Sequence, residues 1–126
     1  MSKINVKNLT TLKGHRVVND IQEAVECLKR GEIIARYEFG DSMSPILVSG
    51  EYCIVEPVFD TSTINVGDAV LCEVNGYLMT HMVILKSNSH ADYPHFLIGS
   101  THYDIYGWTW KIYGIAKGTN YVESIE

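Results

Sequence analysis

The sequence predicts a mostly-β domain, a small, coiled, barrel-like structure with one helix near the N-terminus. One stretch has apolar residues at helical spacing, and about five or six strand-like segments follow it, separated by turn residues. The chain has 126 residues, of which 46% are hydrophobic. This length and composition fit a single folded domain and exclude global disorder.

The predicted helix spans residues 20–30. Asn19, with Gln22 three residues later, is typical of a helix N-terminus, and Gly31 is typical of the residue just after a helix end. Four apolar side chains fall on one helical face: Ile21, Ala24, Val25 and Leu28.

The predicted strands are short, with turn residues between them. Asn75-Gly76 is the strongest hairpin signal, because both positions accept positive φ. Pro57 is expected to stop the second strand, and residues 99–108 are expected to form a loop. The strand-like segments are 32–39, 51–55, 69–74, 77–85, 96–98 and 111–116.

The N-terminal residues 1–17 have no clear period and are expected to form an arm or a loose first strand, which leaves residues 18–126 as the single domain. Residues 1–7 have no apolar run behind their charges, so we expect no secretory signal. No apolar stretch approaches the roughly 20 residues of a membrane helix, and we expect no membrane association.

The net charge and the cysteine content exclude several classes of function. The net charge is -5 and no lysine- or arginine-rich run is present, so no nucleic-acid partner is expected. The three cysteines, Cys27, Cys53 and Cys72, have no Cys-x-x-Cys spacing, which argues against a disulfide framework or a zinc site. We expect buried thiols, a reducing cytoplasmic location and no cofactor.

A turn after the first predicted strand holds the candidate nucleophile, Ser42. An ordinary reading of this turn has Ser44 as a helix cap followed by Pro45 at the first helical position. The alternative is catalytic, because a serine at a sharp turn before a helical start aims its hydroxyl and backbone N–H together, as acyl transfer requires. The segment is Gly40-Asp41-Ser42-Met43-Ser44-Pro45.

The candidate base is His81, which period two places on the same strand face as Met79, Val83 and Leu85. A histidine among apolar neighbours is often structural, but a neutral imidazole on a rigid strand also suits general-base catalysis. Asp104 is either the third member of a triad or a turn-forming residue. The remaining histidines share no metal-ligand spacing and are interpreted as surface residues without a metal: His15, His90, His95 and His102.

These segments, in this order, resemble the superfamily that joins signal peptidases with the SOS-repressor and mutagenesis-protein peptidases. The family motif of Gly-x followed by Ser-Met-x-Pro stands at residues 40–45, its small residue, Gly and acidic residue at 49–51, and a strand-opening Gly-Asp at Gly67-Asp68. The resemblance covers residues 31–118, and it implies a barrel-like peptidase fold with Ser42 as nucleophile and an oxyanion hole formed by the backbone N–H groups of Ser42 and a neighbour such as Gly40.

The residue at the position of the catalytic base indicates which subgroup of the superfamily this sequence resembles. Thr80-His81-Met82-Val83 is similar to the His-Arg-Val segment of the archaeal and microsomal signal peptidases, where histidine replaces the usual lysine. Met82 stands where those relatives have arginine, and the loop leading to Asp104 lacks their Asp-Asn pair. The family's membrane anchor, self-cleavage dipeptides and DNA-binding domain are also missing, which implies a soluble, stand-alone bacterial or phage-like member.

Two functions therefore remain open at this point. One is a serine peptidase that acts on a protein or peptide substrate through Ser42 and His81, with Asp104 as a further member. The other is a catalytically silent domain of the same fold that serves as a binding or structural module, for example in a phage particle. Labelling of Ser42 that is independent of His81 would point to Lys86 as the base.

Overall fold

The structure is a computed structural model that describes residues 15–37, 52–88 and 94–117. Within these residues the chain is mostly sheet with one α-helix, which confirms the predicted fold class. The helix is α1 (Ile21–Lys29), and a short 3-10 turn covers Thr61–Thr63. The strands are β1 (Arg16–Val17), β2 (Ile34–Tyr37), β3 (Tyr52–Pro57), β4 (Ala69–Val74), β5 (Tyr77–Ser87), β6 (His95–Gly99), β7 (Ile105–Thr109) and β8 (Ile112–Lys117).

The eight strands form one sheet in the order β1-β2-β3-β8-β4-β5-β6-β7. β1 pairs with β2 in parallel, and every other neighbouring pair is antiparallel. The sheet is not closed into a barrel, because β1 and β7 each have one strand neighbour in the described part of the chain. Its second half nevertheless curls, and Thr109 at the end of β7 donates a hydrogen bond to the Glu73 carbonyl oxygen on β4 at 2.5 Å.

The helix begins and ends close to the predicted positions. Gly31 follows it with a φ of +85°, and its N–H donates to the Leu28 carbonyl oxygen at 2.9 Å, as a left-handed residue after a helix does. The predicted cap was wrong, because Asp20 is the residue before the first helical turn. Asn19 instead accepts a hydrogen bond from the Tyr37 N–H at 2.9 Å and so ties the helix start to β2.

The strand predictions were correct where turn signals were strong. Asn75 and Gly76 adopt φ values of +51° and +87° and join β4 to β5 as a tight hairpin. β3 ends at Pro57, as predicted, although Pro57 itself still pairs with Gly114 of β8. The expected loop over residues 99–108 was wrong in part, because residues 105–109 form β7.

The two faces of the sheet bury separate clusters of apolar side chains. β4 contributes to both clusters by alternation, with Leu71 on one face and Val70 on the other, each fully buried. The first cluster packs beneath α1 and includes Leu28, and the second lies inside the curled β4–β7 half and includes Phe96. The second cluster surrounds the face of β5 that carries the candidate base.

Candidate active site

The predicted site residues fall partly inside the described structure. His81 lies on β5, and Asp104 lies in the turn between β6 and β7. The other predicted site residues lie outside the described residues, and their roles stay predictions: Gly40, Asp41, Ser42, Met43 and Pro45. The structure therefore characterises the base side of the candidate site.

His81 occupies the strand face that the sequence predicts. It pairs with Val70 of β4, and its neighbours two residues away on β5 are Met79 and Val83. Val70 and Val83 belong to the second cluster, and Met79 packs against it. The imidazole is half-buried against an apolar wall, at a point where β5 pairs with β4 and just before its pairing with β6 begins at Met82.

A β-bulge aims Tyr106 at this imidazole. β6 and β7 pair Ile98 with Gly107 but Gly99 with Ile105, so Tyr106 is an extra residue on β7. Such a bulge turns the extra side chain away from strict alternation. The Tyr106 ring lies against the His81 ring with 4.4 Å between centroids and 31° between planes. The Tyr106 ring therefore packs against the imidazole.

The electrostatic environment keeps His81 neutral. Its Nδ1 atom is buried and has no hydrogen-bond partner among the described residues. Burial lowers the pKa of His81 below its usual range, because the charged imidazolium loses hydration there. A neutral ring with an unprotonated nitrogen is the form that accepts a proton at neutral pH.

Ser100 organises the turn that holds Asp104. Its side chain is fully buried, and its Oγ accepts hydrogen bonds from the N–H groups of His102 and Asp104, both at 3.1 Å. The Ser100 N–H in turn donates to the Asp104 carbonyl oxygen at 2.9 Å. With its oxygen occupied in this way, Ser100 is a structural residue of the turn.

Asp104 is exposed, and the structure does not join it to His81. Its Oδ2 accepts a hydrogen bond from Ser100 Oγ at 3.4 Å. Within the described residues no hydrogen bond links the Asp104 carboxylate to the imidazole, whose Nδ1 has no partner. The geometry on this side therefore supplies an imidazole with an aromatic neighbour, and the base role of His81 and the triad role of Asp104 stay predictions.

The other titratable groups at this end of the sheet have separate positions. Lys86 Nζ donates to the Ser62 carbonyl oxygen at 2.9 Å, in the short 3-10 turn. His102 is exposed and His95 is half-buried, so the surface interpretation is correct for His102 and wrong for His95. Among the described residues no three His, Cys, Asp or Glu side chains are grouped closely enough to hold a metal ion.

The cysteines match their predicted burial, and Cys72 lies in the second cluster, opposite Met79 of β5. All three thiols are free and buried: Cys27, Cys53 and Cys72. Burial raises the pKa of Cys72 to about 12, which keeps that thiol protonated. Cys72 therefore belongs to the second cluster as an apolar group.

Sequence reasoning missed the two residues that pack against the imidazole and organise the turn, Tyr106 and Ser100. The signal for Tyr106 was the glycine that follows it, because a glycine inside a strand-like segment often marks a bulge. Gly107 indeed has a φ of +145°. Ser100 gave no such signal, because serine is common in ordinary turns.

Comparisons with known proteins do not assign this chain. No family model matches it, and neither a curated protein nor a solved structure matches it. In the described ranges, no helix has both the length and the apolar character needed to cross a membrane.

Proposed function

We propose that this chain is a serine peptidase of the signal-peptidase and repressor-peptidase type, with Ser42 as nucleophile and His81 as general base. One observation carries the proposal: the imidazole of His81 is half-buried, packed against Tyr106 and kept neutral by burial. The nucleophile enters through the resemblance of residues 40–45 to the family motif. The substrate class is a protein or peptide.

The proposed reaction is amide hydrolysis in two steps. Ser42 Oγ attacks the amide carbonyl carbon while a ring nitrogen of His81 takes its proton, and backbone N–H groups stabilise the oxyanion. The C–N bond then breaks as His81 passes the proton to the leaving amine, which leaves an acyl-serine. Water, deprotonated by His81, hydrolyses this ester and regenerates the serine hydroxyl.

The dyad of Ser42 and His81 is the form of the proposal that the contacts favour, since Asp104 is bonded by Ser100. No cofactor takes part. The proposal also places the protein in the cytoplasm, in keeping with three free thiols in a chain without a disulfide pattern.

A fluorophosphonate probe tests the proposal, because an activated serine attacks its phosphorus, displaces fluoride and becomes phosphonylated. Mass spectrometry should locate the label on Ser42, and Ser42→Ala should abolish it. His81→Ala should slow labelling by about 100-fold or more, the usual contribution of a general base. The labelling rate should fall as the pH drops below about 6, when the imidazole protonates.

The matched control is His102→Ala, which removes an exposed imidazole from the same end of the sheet. Its labelling rate should equal that of the unmodified chain. Unchanged labelling in His81→Ala would remove His81 from the mechanism, and loss of labelling in Lys86→Gln would then identify Lys86 as the base. No labelling of the unmodified chain would overturn the peptidase proposal.

The second candidate function is a catalytically silent binding module. It is favoured by the apolar setting of His81, whose ring stacks on Tyr106 as a structural aromatic residue would and whose Nδ1 has no hydrogen-bond partner in the described residues. Normal folding of His81→Phe together with an unreactive Ser42 in the unmodified chain would support this function.

A further inference from the structure

One face of the sheet presents a row of apolar side chains across β5, β6 and β7. Directly paired residues of neighbouring antiparallel strands place their side chains on the same face of a sheet. Leu85 of β5 pairs with Leu97 of β6, and Leu97 pairs with Trp108 of β7. These three side chains therefore form one continuous apolar row.

A second apolar row lies beside the first. Gly99 is two residues from Leu97 and so belongs to the same face of β6. A Cβ on Gly99 would lie 2.9 Å from Ile84 Cγ1 and 3.3 Å from Ile105 Cδ1, so these two side chains meet over the glycine. We call the apolar side chains of the two rows the outer face: Ile84, Leu85, Leu97, Ile105 and Trp108.

The outer face is opposite the candidate active site and continues the face that α1 covers. Phe96 and Ile98, which alternate with the outer-face positions of β6, are buried in the second cluster, on the side of His81. Met82 pairs with Gly99 and packs against the first cluster, which lies beneath α1. The apolar face that begins under the helix therefore extends past it, onto β6 and β7.

The side chains of the outer face are widely exposed. Leu85, Ile105 and Trp108 are 52%, 54% and 48% exposed, and Ile84 and Leu97 are partly exposed. An antiparallel sheet that faces water normally carries polar residues on its solvated side, which is the opposite of this pattern. A contiguous apolar patch of this kind is typical of a surface that a partner covers.

The outer face contains no lysine, arginine, aspartate or glutamate. Lys86 is the only such residue in the segments 84–87, 95–99 and 105–109. It pairs with Phe96 and so lies on the other face, where its Nζ donates to the Ser62 carbonyl oxygen. An uncharged face selects neither an acidic nor a basic partner. It also brings no like charges together when two copies meet, although each chain has a net charge of -5.

We propose that the outer face packs against the outer face of a second copy of this chain, so that the two sheets form a sandwich across a two-fold axis. Sheets pack face to face about 10 Å apart, and a flat apolar face is complementary to a copy of itself. The proposal is independent of the peptidase proposal, because His81 lies on the opposite face of β5.

The area of the outer face is sufficient for a weak dimer. Since large side chains bury about 150–250 Å² each, the outer face and its border supply on the order of 500–600 Å² per copy. The total of about 1,000–1,200 Å² lies at the lower limit of specific interfaces. The dimer should therefore dissociate on dilution.

Sedimentation equilibrium of the full chain tests the proposal. The average mass should rise from that of one chain toward that of two between about 1 µM and about 1 mM. Leu85→Lys and Trp108→Lys should each weaken the dimer by about 100-fold or more, because an unpaired ammonium group would be buried between the sheets. The matched control is Tyr77→Lys, since Tyr77 is 73% exposed at the β4–β5 turn, about 25 Å along β5 from Leu85. It should change the affinity less than about threefold.

The fluorescence of Trp108 reports whether the outer face is the surface that is covered. The chain has two tryptophans, so Trp110→Phe leaves Trp108 as the single one. Its emission maximum should move to shorter wavelength over the concentrations at which the mass rises, because dimerisation removes water from the ring. Adding Leu85→Lys should keep the maximum constant. Urea unfolding of the dilute lysine variants should have similar midpoints, since each variant replaces an exposed side chain.

Three results would overturn the proposal. The first is a chain that stays monomeric up to about 1 mM, which would leave the outer face to a partner of another sequence. The second is a dimer that Tyr77→Lys weakens as much as Trp108→Lys does, or whose formation leaves the Trp108 emission unchanged, since either would place the interface elsewhere. The third is a monomer whose Trp108 emits at short wavelength at every concentration, which would give the outer face to another segment of the same chain.

Discussion

The two edges of the sheet are built in different ways. β1 is two residues long and carries Arg16, whereas β7 is five residues long and uncharged. Ile105 and Trp108 of β7 are 54% and 48% exposed. Short length and charge are the usual means by which an edge avoids pairing with another strand. The β1 edge is protected in this way, and the β7 edge is open in the described part of the chain.

The hydrogen bonding of the polar groups near the two edges also differs. Near β1, Arg16 Nε donates to Glu32 at 2.7 Å, and Arg16 Nη2 also donates to Cys27 Sγ at 3.0 Å. Near β7, His81 Nδ1 is buried without a hydrogen-bond partner in the described structure. The two edges therefore differ in the groups beside them, an exposed ion pair near β1 and a half-buried imidazole near β7.

The peptidase proposal offers a functional reason for the difference between the β1 edge and the β7 edge. Extended substrates in the superfamily that the sequence resembles bind by strand addition, which needs an edge with unpaired backbone groups. The open edge lies at the same end of the sheet as His81, with Tyr106 of that edge stacked on the imidazole. The following predictions test how far the β7 edge and the β1 edge differ.

The largest effect is expected for Gly99→Ala. An added Cβ would collide with the Asp104 carbonyl oxygen and lie 2.9 Å from Ile84 Cγ1, so β7 would have to move away from β6. We expect a loss of about 3 kcal/mol in the free energy of unfolding, as for other overpacked sites. Urea unfolding measures it.

Gly76→Ala is the control for Gly99→Ala. Gly76 has a φ of +87° but nothing within 4 Å of its added Cβ, so its cost is backbone strain alone, about 1 kcal/mol. Equal losses in the two variants would mean that β7 is not packed tightly against β6, and the contrast between the two edges would weaken.

The second prediction concerns two threonines with opposite surroundings. Thr109 Oγ1 donates to the Glu73 carbonyl oxygen and accepts from the Lys111 N–H at 3.0 Å, which anchors β7 to β4. Thr109→Val should cost about 1–3 kcal/mol, because both partners lose a hydrogen bond. Thr80 Oγ1 is buried without a partner, so Thr80→Val should be neutral or stabilise by up to about 1 kcal/mol.

Chemical denaturation of both valine variants checks this prediction. Valine keeps the shape of threonine, so the two variants differ mainly in the hydrogen bonds that are removed. A loss in Thr80→Val as large as that in Thr109→Val would contradict the assignment of Thr109 as the anchor of the open edge.

Much of the fold followed from local signals in the sequence. The helix followed from the spacing of Leu28 and its neighbours, and β4 matched its predicted bounds because the turn at Asn75-Gly76 fixes its end. The strand β7 was missed, because Gly107 interrupts its alternation and its extended form depends on pairing with β6. Local sequence does not encode that non-local pairing.

The candidate site, like the fold, was predictable only where it depends on local sequence. Period two placed His81 on the face of Val83 without any knowledge of the fold. The contact between Tyr106 and His81 depends on a bulge that shifts register between two strands, and the turn around Asp104 depends on a buried serine hydroxyl. Both are consequences of packing between distant segments, which one sequence does not reveal.

The third prediction is a pH dependence of stability that originates at His81. Because burial lowers its pKa in the folded protein, the unfolded chain binds this proton at a higher pH than the folded chain does. Stability should therefore fall as the pH drops below about 6.5, with a slope of at most about 1.4 kcal/mol per pH unit, and the fall should end once the folded imidazole also protonates.

His81→Phe tests this assignment, because phenylalanine keeps a ring against Tyr106 and does not titrate. Urea unfolding at a series of pH values should show this component in the unmodified chain and not in the variant. A variant that keeps the same slope between about pH 7 and pH 5.5 would show that the effect does not originate at His81.

The smallest effect is expected at the β1 edge, where stability also falls with falling pH but does so at lower pH. The hydrogen bond from Arg16 lowers the pKa of Glu32 to about 2, although partial desolvation acts against it. The stability from this pair is present above the unfolded pKa of about 4.3 and is lost as the pH falls toward 2. Glu32→Gln should remove that acid component.

Arg16→Gln should remove the larger part of this component, because Arg30 still donates to Glu32 at 3.4 Å. The change should be small and should shrink with added salt, since the two side chains are 53% and 30% exposed. A salt-insensitive loss as large as that of Thr109→Val would mean that the β1 edge depends on its charges for stability. The charges would then be more than a barrier to strand addition, and the two edges would differ less than their contacts indicate.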